Sequence, residues 1–278
     1  MGKPVNSRSQ DQTTAAAATG AAAAAPGPVD KAMEVLSALA DTGAPHRLAD
    51  LARRTGLAKP TVHRLLRALA AAGYAAPGAG GSYRPGPRLL GLAAGALADD
   101  PALSAAGPVL DELRARTGLF ASYAVRDGRT VIHLDVRAPA QALGLDLRPG
   151  AREAVTAGAA GHALLPSPPA PGADGWDGLT EADAEALRTA LAATARDGYA
   201  FDGADAWRDR RALAAPVRDA SGDTVGALVL TGLAFTLDEA AAHLYGPMLR
   251  SAAAAVSAGL AARSGPRLGM IGTGGEQR

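Results

Sequence analysis

Along residues 29–40 the apolar side chains fall at Val29, Ala32, Met33, Val35, Leu36, Leu39 and Ala40, the three-to-four spacing of one helix face. Asp41-Thr42-Gly43 closes that stretch, with Gly43 suited to a left-handed cap. A short second helix is expected over 48–54. Thr55-Gly56-Leu57 then reads as a turn in which Gly56 takes positive φ without strain. The next helix opens near Pro60, because a helix's first turn tolerates proline. Its buried stripe is Val62, Leu65, Leu66 and Leu69; Lys59, His63, Arg64 and Arg67 lie off it. Segments 73–76 and 82–84 flank Pro77-Gly78-Ala79-Gly80-Gly81, which predicts a small β-hairpin with a glycine tip.

Three helices followed by a hairpin is the order of a winged helix-turn-helix. Pro87 opens a further helix over 88–98, carrying Leu89, Leu90, Leu92 and Leu97. Pro101 interrupts it, and 108–116 continue helical behind a second proline. Stretches 119–126 and 129–137 bracket Asp127-Gly128, a strong hairpin signal. A helix is expected over 155–165 and a Pro/Gly/Asp loop over 166–178. Thr180 caps a helix reaching 195, with Asp183 at the capping-box position. Strands are expected at 198–201, 213–218 and 225–231, the last two joined by a turn at 219–223. A long helix closes the pattern at about 238–263. The fold class is therefore α+β: a tail over 1–27, a winged domain over 28–87, a linker helix over 88–104, an antiparallel sheet domain over 105–264, and a flexible tail over 265–278.

Composition narrows the options. The chain has 278 residues, comfortable for two domains, with 48% hydrophobic residues but only 4% aromatic ones. Its cores are built from Leu, Val and Ala, and a ligand pocket would be aliphatic. There is no cysteine, which excludes disulfides and thiolate metal or redox sites and fits a reducing cytoplasm. No apolar run reaches membrane-spanning length, and the alanine tract near the N-terminus lacks the features of an export signal. Charge is unevenly spread. Residues 1–90 hold eleven basic and five acidic groups, an excess of +6, while the rest holds 17 basic and 22 acidic, or −5. Only the front half suits a polyanion.

That charge bears on the helix opening at residue 59. Lys59, Pro60 and Thr61 lie at its start, where backbone amides and side chains reach phosphates or base edges. His63, Arg64 and Arg67 follow along its exposed side, and Arg64 is the candidate for a bidentate guanine contact. Arg84 would stand on the wing. The plainer alternative is a helical pair whose charges are a solvated face, and for His63 and Arg84 that alternative stands level. It leaves the glycine turn, the hairpin and the local charge excess without a common cause.

The stretches VDKAMEVLSAL, LADLARRTGLAKPTVHRLLRALAAAGY and YRPGPRLLGLA resemble the DNA-binding half of IclR-type bacterial transcriptional regulators. GYAFD, LAAPVRDASGDTVGALVLTG and the long final helix resemble that family's effector-binding half. The resemblance implies a GAF-like effector domain with a six-stranded antiparallel sheet, a dimer joined through the winged domain and linker helix, and tetramers. It implies a DNA operator of pseudo-palindromic form and a small-molecule effector, an organic acid or a more apolar metabolite. It also implies a repressor in the cytoplasm, with no cofactor or metal.

Carried over position by position, Gly150-Ala151 would supply backbone donors to a carboxylate, and Asp202 would face the ligand unless it is only a strand-end turn residue. Ala212 stands where the family has cysteine, and Val229 and Thr231 stand where it has a Ser-x-Ser pair. Ala154, Thr156, Gly158 and His162 replace an expected Pro, His, Thr and Lys, and Asp209 replaces a glycine. Losing a thiol and a hydroxyl removes polar contacts, so the expected ligand is larger or more apolar than a two- or three-carbon keto acid, if one binds at all.

The rival reading is an enzyme in the second half, with Ser122, His133 and Asp135 as a triad. No G-x-S-x-G surrounds Ser122, no metal-ligand spacing links the histidines, and no phosphate-binding glycine loop opens a helix. A protein-interaction module without DNA would leave the cationic helix unexplained.

Overall fold

The computed structural model of the protein describes residues 27–40, 46–166, 179–202 and 209–263. The expected tails, the Asp41–Gly43 cap and nearly all of the 166–178 loop lie outside the described residues.

Helix α1 (Pro28–Ala40) buries Val35 and Leu39. A two-residue strand, β1 (His46–Arg47), leads into α2 (Leu48–Thr55). Gly56 ends α2 in the left-handed region, at φ 67° and ψ 2°. Thr55 is buried there; its hydroxyl donates to the Leu51 carbonyl at 2.9 Å and accepts from the Leu57 amide at 3.4 Å. Helix α3 (Lys59–Ala71) buries Val62, Leu66 and Leu69 against α1 and α2, as its apolar spacing requires. Strands β2 (Ala75–Pro77) and β3 (Ser82–Pro85) form the hairpin, with Gly80 and Gly81 at positive φ in its tip. β1 joins them in the order β1-β3-β2, His46 opposite Tyr83. That strand was not expected, because two residues carry no periodicity and its pairing partner lies more than 30 positions away.

Helix α4 (Pro87–Asp99) contains no buried residue. Its Arg88 guanidinium lies over the Tyr74 ring at 5.4 Å, and its Arg88 amide donates to the Gly73 carbonyl. Asp100 then caps α5 (Pro101–Thr117), accepting from the amides of Ala102 and Leu103 at 2.8 and 3.0 Å. The helix expected over 108–116 starts earlier, at Pro101, so that Pro108 lies inside one continuous helix. Ala102, Leu103 and Ala106 are already buried in the second core, and that packing outweighs the hydrogen bond the proline removes.

The second half is a six-stranded antiparallel sheet in the order β6-β5-β4-β9-β8-β7. Its members are β4 (Phe120–Asp127), β5 (Thr130–Arg137), β6 (Arg152–Ala154), β7 (Ala200–Phe201), β8 (Arg210–Arg218) and β9 (Thr224–Leu233). Helices α5 and α8 (Glu239–Arg263) cover one face, over Tyr123, Leu213, Leu228 and Leu230. The short α6 (Ala159–Leu164) and α7 (Glu181–Asp197) cover the other, over Ala124, Ala214, Ala227 and Val229. Thr180 caps α7 as expected, accepting from the Asp183 amide at 3.2 Å. The helix expected over 155–165 shortens to α6, because 152–154 pair with β5 and Gly158 is extended. Gly161 permits the resulting close packing, since a Cβ there would collide with the Val155 carbonyl.

Candidate functional site

Two places gather polar side chains that packing alone does not require. The first is the outer edge of α3. Lys59, Pro60, His63, Arg64 and Arg67 are exposed and Thr61 half-buried, opposite the buried Val62–Leu66–Leu69 stripe. Among the described residues, Lys59, Arg64 and Arg67 form no ion pair, whereas Arg53 on α2 pairs with Asp50 at 2.9 Å. The N-cap is Ala58, which offers no side-chain acceptor; its carbonyl already takes the Thr61 amide at 2.9 Å and Pro60 has no N–H, so among the described residues the Lys59 amide is the first-turn donor left open to an external anion. Arg84 is exposed on β3, opposite Ala76 in the wing. Three cations on one helix edge, none neutralised by another described residue, form a surface complementary to a polyanion.

The second place is the α6 face of the sheet. Directly opposed residues of an antiparallel pair share a face. Thr231 lies opposite both Phe120 and Ala212, and one row along Val229 lies opposite both Ser122 and Ala214. Asp202 joins this surface at the sheet edge: its amide donates to the Ala212 carbonyl, and its carboxylate accepts from the Ala212 amide. The sequence-predicted Asp202, Ala212, Val229 and Thr231 are thus brought together. Ala212 and Val229 are buried in the apolar cluster beneath α6.

Gly150 and Ala151 approach the same place but not in the role the resemblance implied. The Gly150 amide donates to the His133 carbonyl at 2.7 Å, and the Ala151 amide to the Arg148 carbonyl at 3.0 Å. The first ties the loop to β5 and the second closes a turn within the loop, so both donors are engaged rather than offered to a carboxylate.

On this face lies a buried polar network that sequence reasoning set aside. Ser122 Oγ and His133 Nδ1 are 2.9 Å apart, with Ser122 fully buried and His133 3% exposed. His133 Nε2 lies 3.4 Å from Glu153 Oε1, and Arg210 Nη2 donates to Glu153 Oε2 at 2.8 Å. The link from β6 to β8 passes across β5, β4 and β9. Asp135 takes no part: it pairs with Arg137, which also holds Asp111. A register shift between Tyr123 and Ala124 sets Ala124 opposite His133 and Tyr123 opposite Asp135, which puts the two residues of the rival triad on different faces. Glu153 and Arg210 left no signal in the sequence, since they lie 57 positions apart.

The two carboxyl groups at this site are pushed in opposite directions. Burial would raise Glu153, but the hydrogen bond and charge of His133, with the Arg210 guanidinium, outweigh it and hold Glu153 below its ordinary value. Asp202 is raised from 3.8 to about 6, first by burial and then by the charge of Glu153, against the pull of the Ala212 and Ala159 amides and of Arg210. Burial likewise pushes His162 down. Beside Asp202 opens a cleft of about 460 Å³, lined also by Thr156, Gly158, His162, Leu187 and Phe201.

Comparison with known proteins bears on both places. The IclR helix-turn-helix domain matches residues 28–77, and the bacterial transcriptional regulator IclR C-terminal domain matches 95–258. The HTH-type transcriptional regulator XynR of Escherichia coli is 27% identical over 251 residues, covering 84% of this chain and 96% of that protein. The crystal structure of an IclR transcriptional regulator from Silicibacter superposes with a TM-score of 0.68 at 26% identity, over 84% of this chain and 95% of that one. An IclR homologue from Microbacterium hydrocarbonoxydans, solved in complex with 4-hydroxybenzoate, gives 0.64 at 24%, over 84% and 99%. The chain belongs to the IclR family of HTH-type bacterial transcriptional regulators.

Proposed function

We propose that this regulator binds a pseudo-palindromic operator as a homodimer, with α3 of each protomer in a major groove, and that a small molecule on the α6 face of the sheet controls that binding. The observation that carries the reading is the unpaired cationic edge of α3 above a fully buried stripe. Arg64 reads a base, Lys59 and Arg67 hold phosphates, the Thr61 hydroxyl and the Lys59 amide fix the register, and Arg84 steadies the wing. Pro60 starts the helix without losing a needed hydrogen bond. His63 lies alongside as a further groove contact.

Dimerisation rests on α4, whose Leu90 and Leu92 are 56% and 58% exposed in a helix that buries nothing. Pairing α4 helices would cover them and space two α3 helices along one duplex. The effector half rests on the buried polar network and on Asp202, and the complex of the Microbacterium homologue with 4-hydroxybenzoate supports a small-molecule ligand. Repression is the mode we assign, in the cytoplasm where the DNA lies.

The test is to sequence the genomic DNA that the full-length protein retains, then to titrate salt on the recovered site. A two-fold symmetric sequence whose affinity falls steeply with added salt is expected. Retention without sequence preference, or none, would refute the reading.

A further inference from the structure

A second cleft, of about 500 Å³, opens where α6, α7, β8 and α8 converge. Its charge is the reverse of the cleft beside Asp202. Among the described residues, that cleft is lined by the carboxylates of Asp183 and Asp202 and by no arginine or lysine. This one is lined by Arg218 and Arg250 and by no aspartate or glutamate. His162 alone is common to the two linings. Both guanidiniums are held in place without being neutralised. Arg250 Nη1 donates to the Asp197 carbonyl at 3.1 Å, at the C-terminus of α7, where a helix leaves carbonyls unpaired. The chain passes close beneath that side chain at Gly198, where a Cβ would stand 2.6 Å from Arg250 Cδ. Arg218 Nη1 donates to the Gly222 carbonyl at 2.9 Å, and the Arg218 amide donates to Ser257 Oγ on α8 at 2.9 Å. The nearby carboxylates are engaged elsewhere. Both oxygens of Asp197 accept from Arg196 at 2.8 Å, and Asp219 Oδ1 accepts from the amides of Ser221 and Asp223.

A carbonyl takes one N–H and leaves the charge whole, and neither arginine has an ion-pair partner among the described residues. Each guanidinium therefore keeps further donors in its planar fork. The hydroxyls on the wall add no free donor: Thr194 donates to the Ala190 carbonyl at 2.7 Å and Ser257 to the Ala253 carbonyl at 2.8 Å. A concavity whose open polar groups are the N–H groups of two cations suits acceptor oxygens that carry negative charge. Two like charges facing one space repel, and a doubly charged ligand answers both. Leu165, Leu191 and Pro216 line the remainder, so the ligand has a small apolar body as well as its charges. We propose that this cleft is a second ligand site, separate from the effector face, and that it takes a small organic dianion, a dicarboxylate or a phosphate monoester, held in the forks of Arg218 and Arg250. Its volume is of the size that small ligands occupy. The site stands whether or not a ligand binds beside Asp202.

The experiment is calorimetric titration of the full-length protein at about pH 7.5, where a phosphate monoester is doubly charged. The dianions are succinate and phenyl phosphate. The controls are butyrate and phenol, which keep the carbon bodies and lack one carboxylate or the phosphate. At least one dianion is expected to bind once per chain, and the tighter of the two tells whether carboxylates or a phosphate is the preferred source of charge. Each control should bind at least about tenfold more weakly than its dianion. Arg218→Gln and Arg250→Gln should each weaken the binding about tenfold, since each removes a charge-assisted contact. Arg210→Gln, on the effector face, should leave it unchanged. Melting temperatures without ligand check that the variants fold; where Arg250→Gln loosens the end of α7, Arg218→Gln, on an exposed turn, carries the test. Binding of neither dianion, equal binding of the controls, native affinity in Arg218→Gln, or loss of affinity in Arg210→Gln would each overturn the inference.

Discussion

Single residues carry the sharpest consequences. Arg64 projects from α3 without a partner among the described residues, so removing it disturbs no contact described inside the fold. Arg64→Ala should weaken operator binding by about 1–3 kcal/mol and relax preference at one base pair. A binding-site selection carried out on both proteins checks this, and an equal loss on every sequence would make Arg64 a phosphate contact instead. Asp202 gives a second prediction. Its folded pKa of about 6 lies above the ordinary 3.8, so between those values the native chain holds a proton that the unfolded chain releases. Its contribution is thus favourable at low pH and lost as pH rises through that window, at a cost of up to roughly 3 kcal/mol above it. Glu153 has the opposite sign: its lowered pKa adds stability above 4.5 that fades as pH falls. Following the side-chain carbon shift of Asp202 by NMR should show a midpoint near 6; a midpoint near 4 would mean that the carboxylate is solvated.

At the level of elements, what the sequence could show depended on whether a structure's cause lay within a dozen residues. The α3 stripe, the Gly56 turn, the Thr180 cap and the Asp127-Gly128 hairpin are local devices, and each formed where its residues said it would. β1 and β6 are strands only because a distant partner pairs with them, and α5 runs through Pro108 only because its apolar side meets a sheet. The candidate effector face shows the same division. Asp202 was legible as a residue, but the Ser122–His133–Glu153–Arg210 chain joins four strands and exists only in three dimensions. The substitutions at Ala212 and Val229 pointed to a more apolar pocket, yet polarity returned from other strands. The local devices are testable through the α3 core. Leu66 is wholly buried, so Leu66→Ala should lower winged-domain stability by about 2–5 kcal/mol by opening a cavity. Thermal denaturation monitored by circular dichroism measures it, and an unchanged profile would show that the stripe does not hold α3 in place.

For the molecule as a whole, the decisive element is the one that buries nothing. A helix of thirteen residues without a packed face is marginal alone in water, and α4 keeps Leu90 and Leu92 in solvent while joining the winged core to the sheet domain. In the dimer proposed above, a second copy of α4 would remove both exposures at once and give the helix a face to rest on. The consequence for DNA is arithmetic. With two α3 helices held on one body, the second half-site is met at a high effective concentration, and affinity rises by about 10²–10⁴ over one winged domain. Replacing both leucines, Leu90→Glu with Leu92→Glu, should yield a monomer by light scattering, with an unchanged winged-domain melting temperature because neither side chain is in the core. Operator affinity should fall by about 10²-fold or more and the salt dependence should become shallower, as half the phosphate contacts are lost. Discrimination within one half-site should persist, since Arg64 is untouched. A variant that stays dimeric, or a monomer that binds the full operator as tightly as the native protein, would show that the two recognition helices are coupled through some surface other than α4.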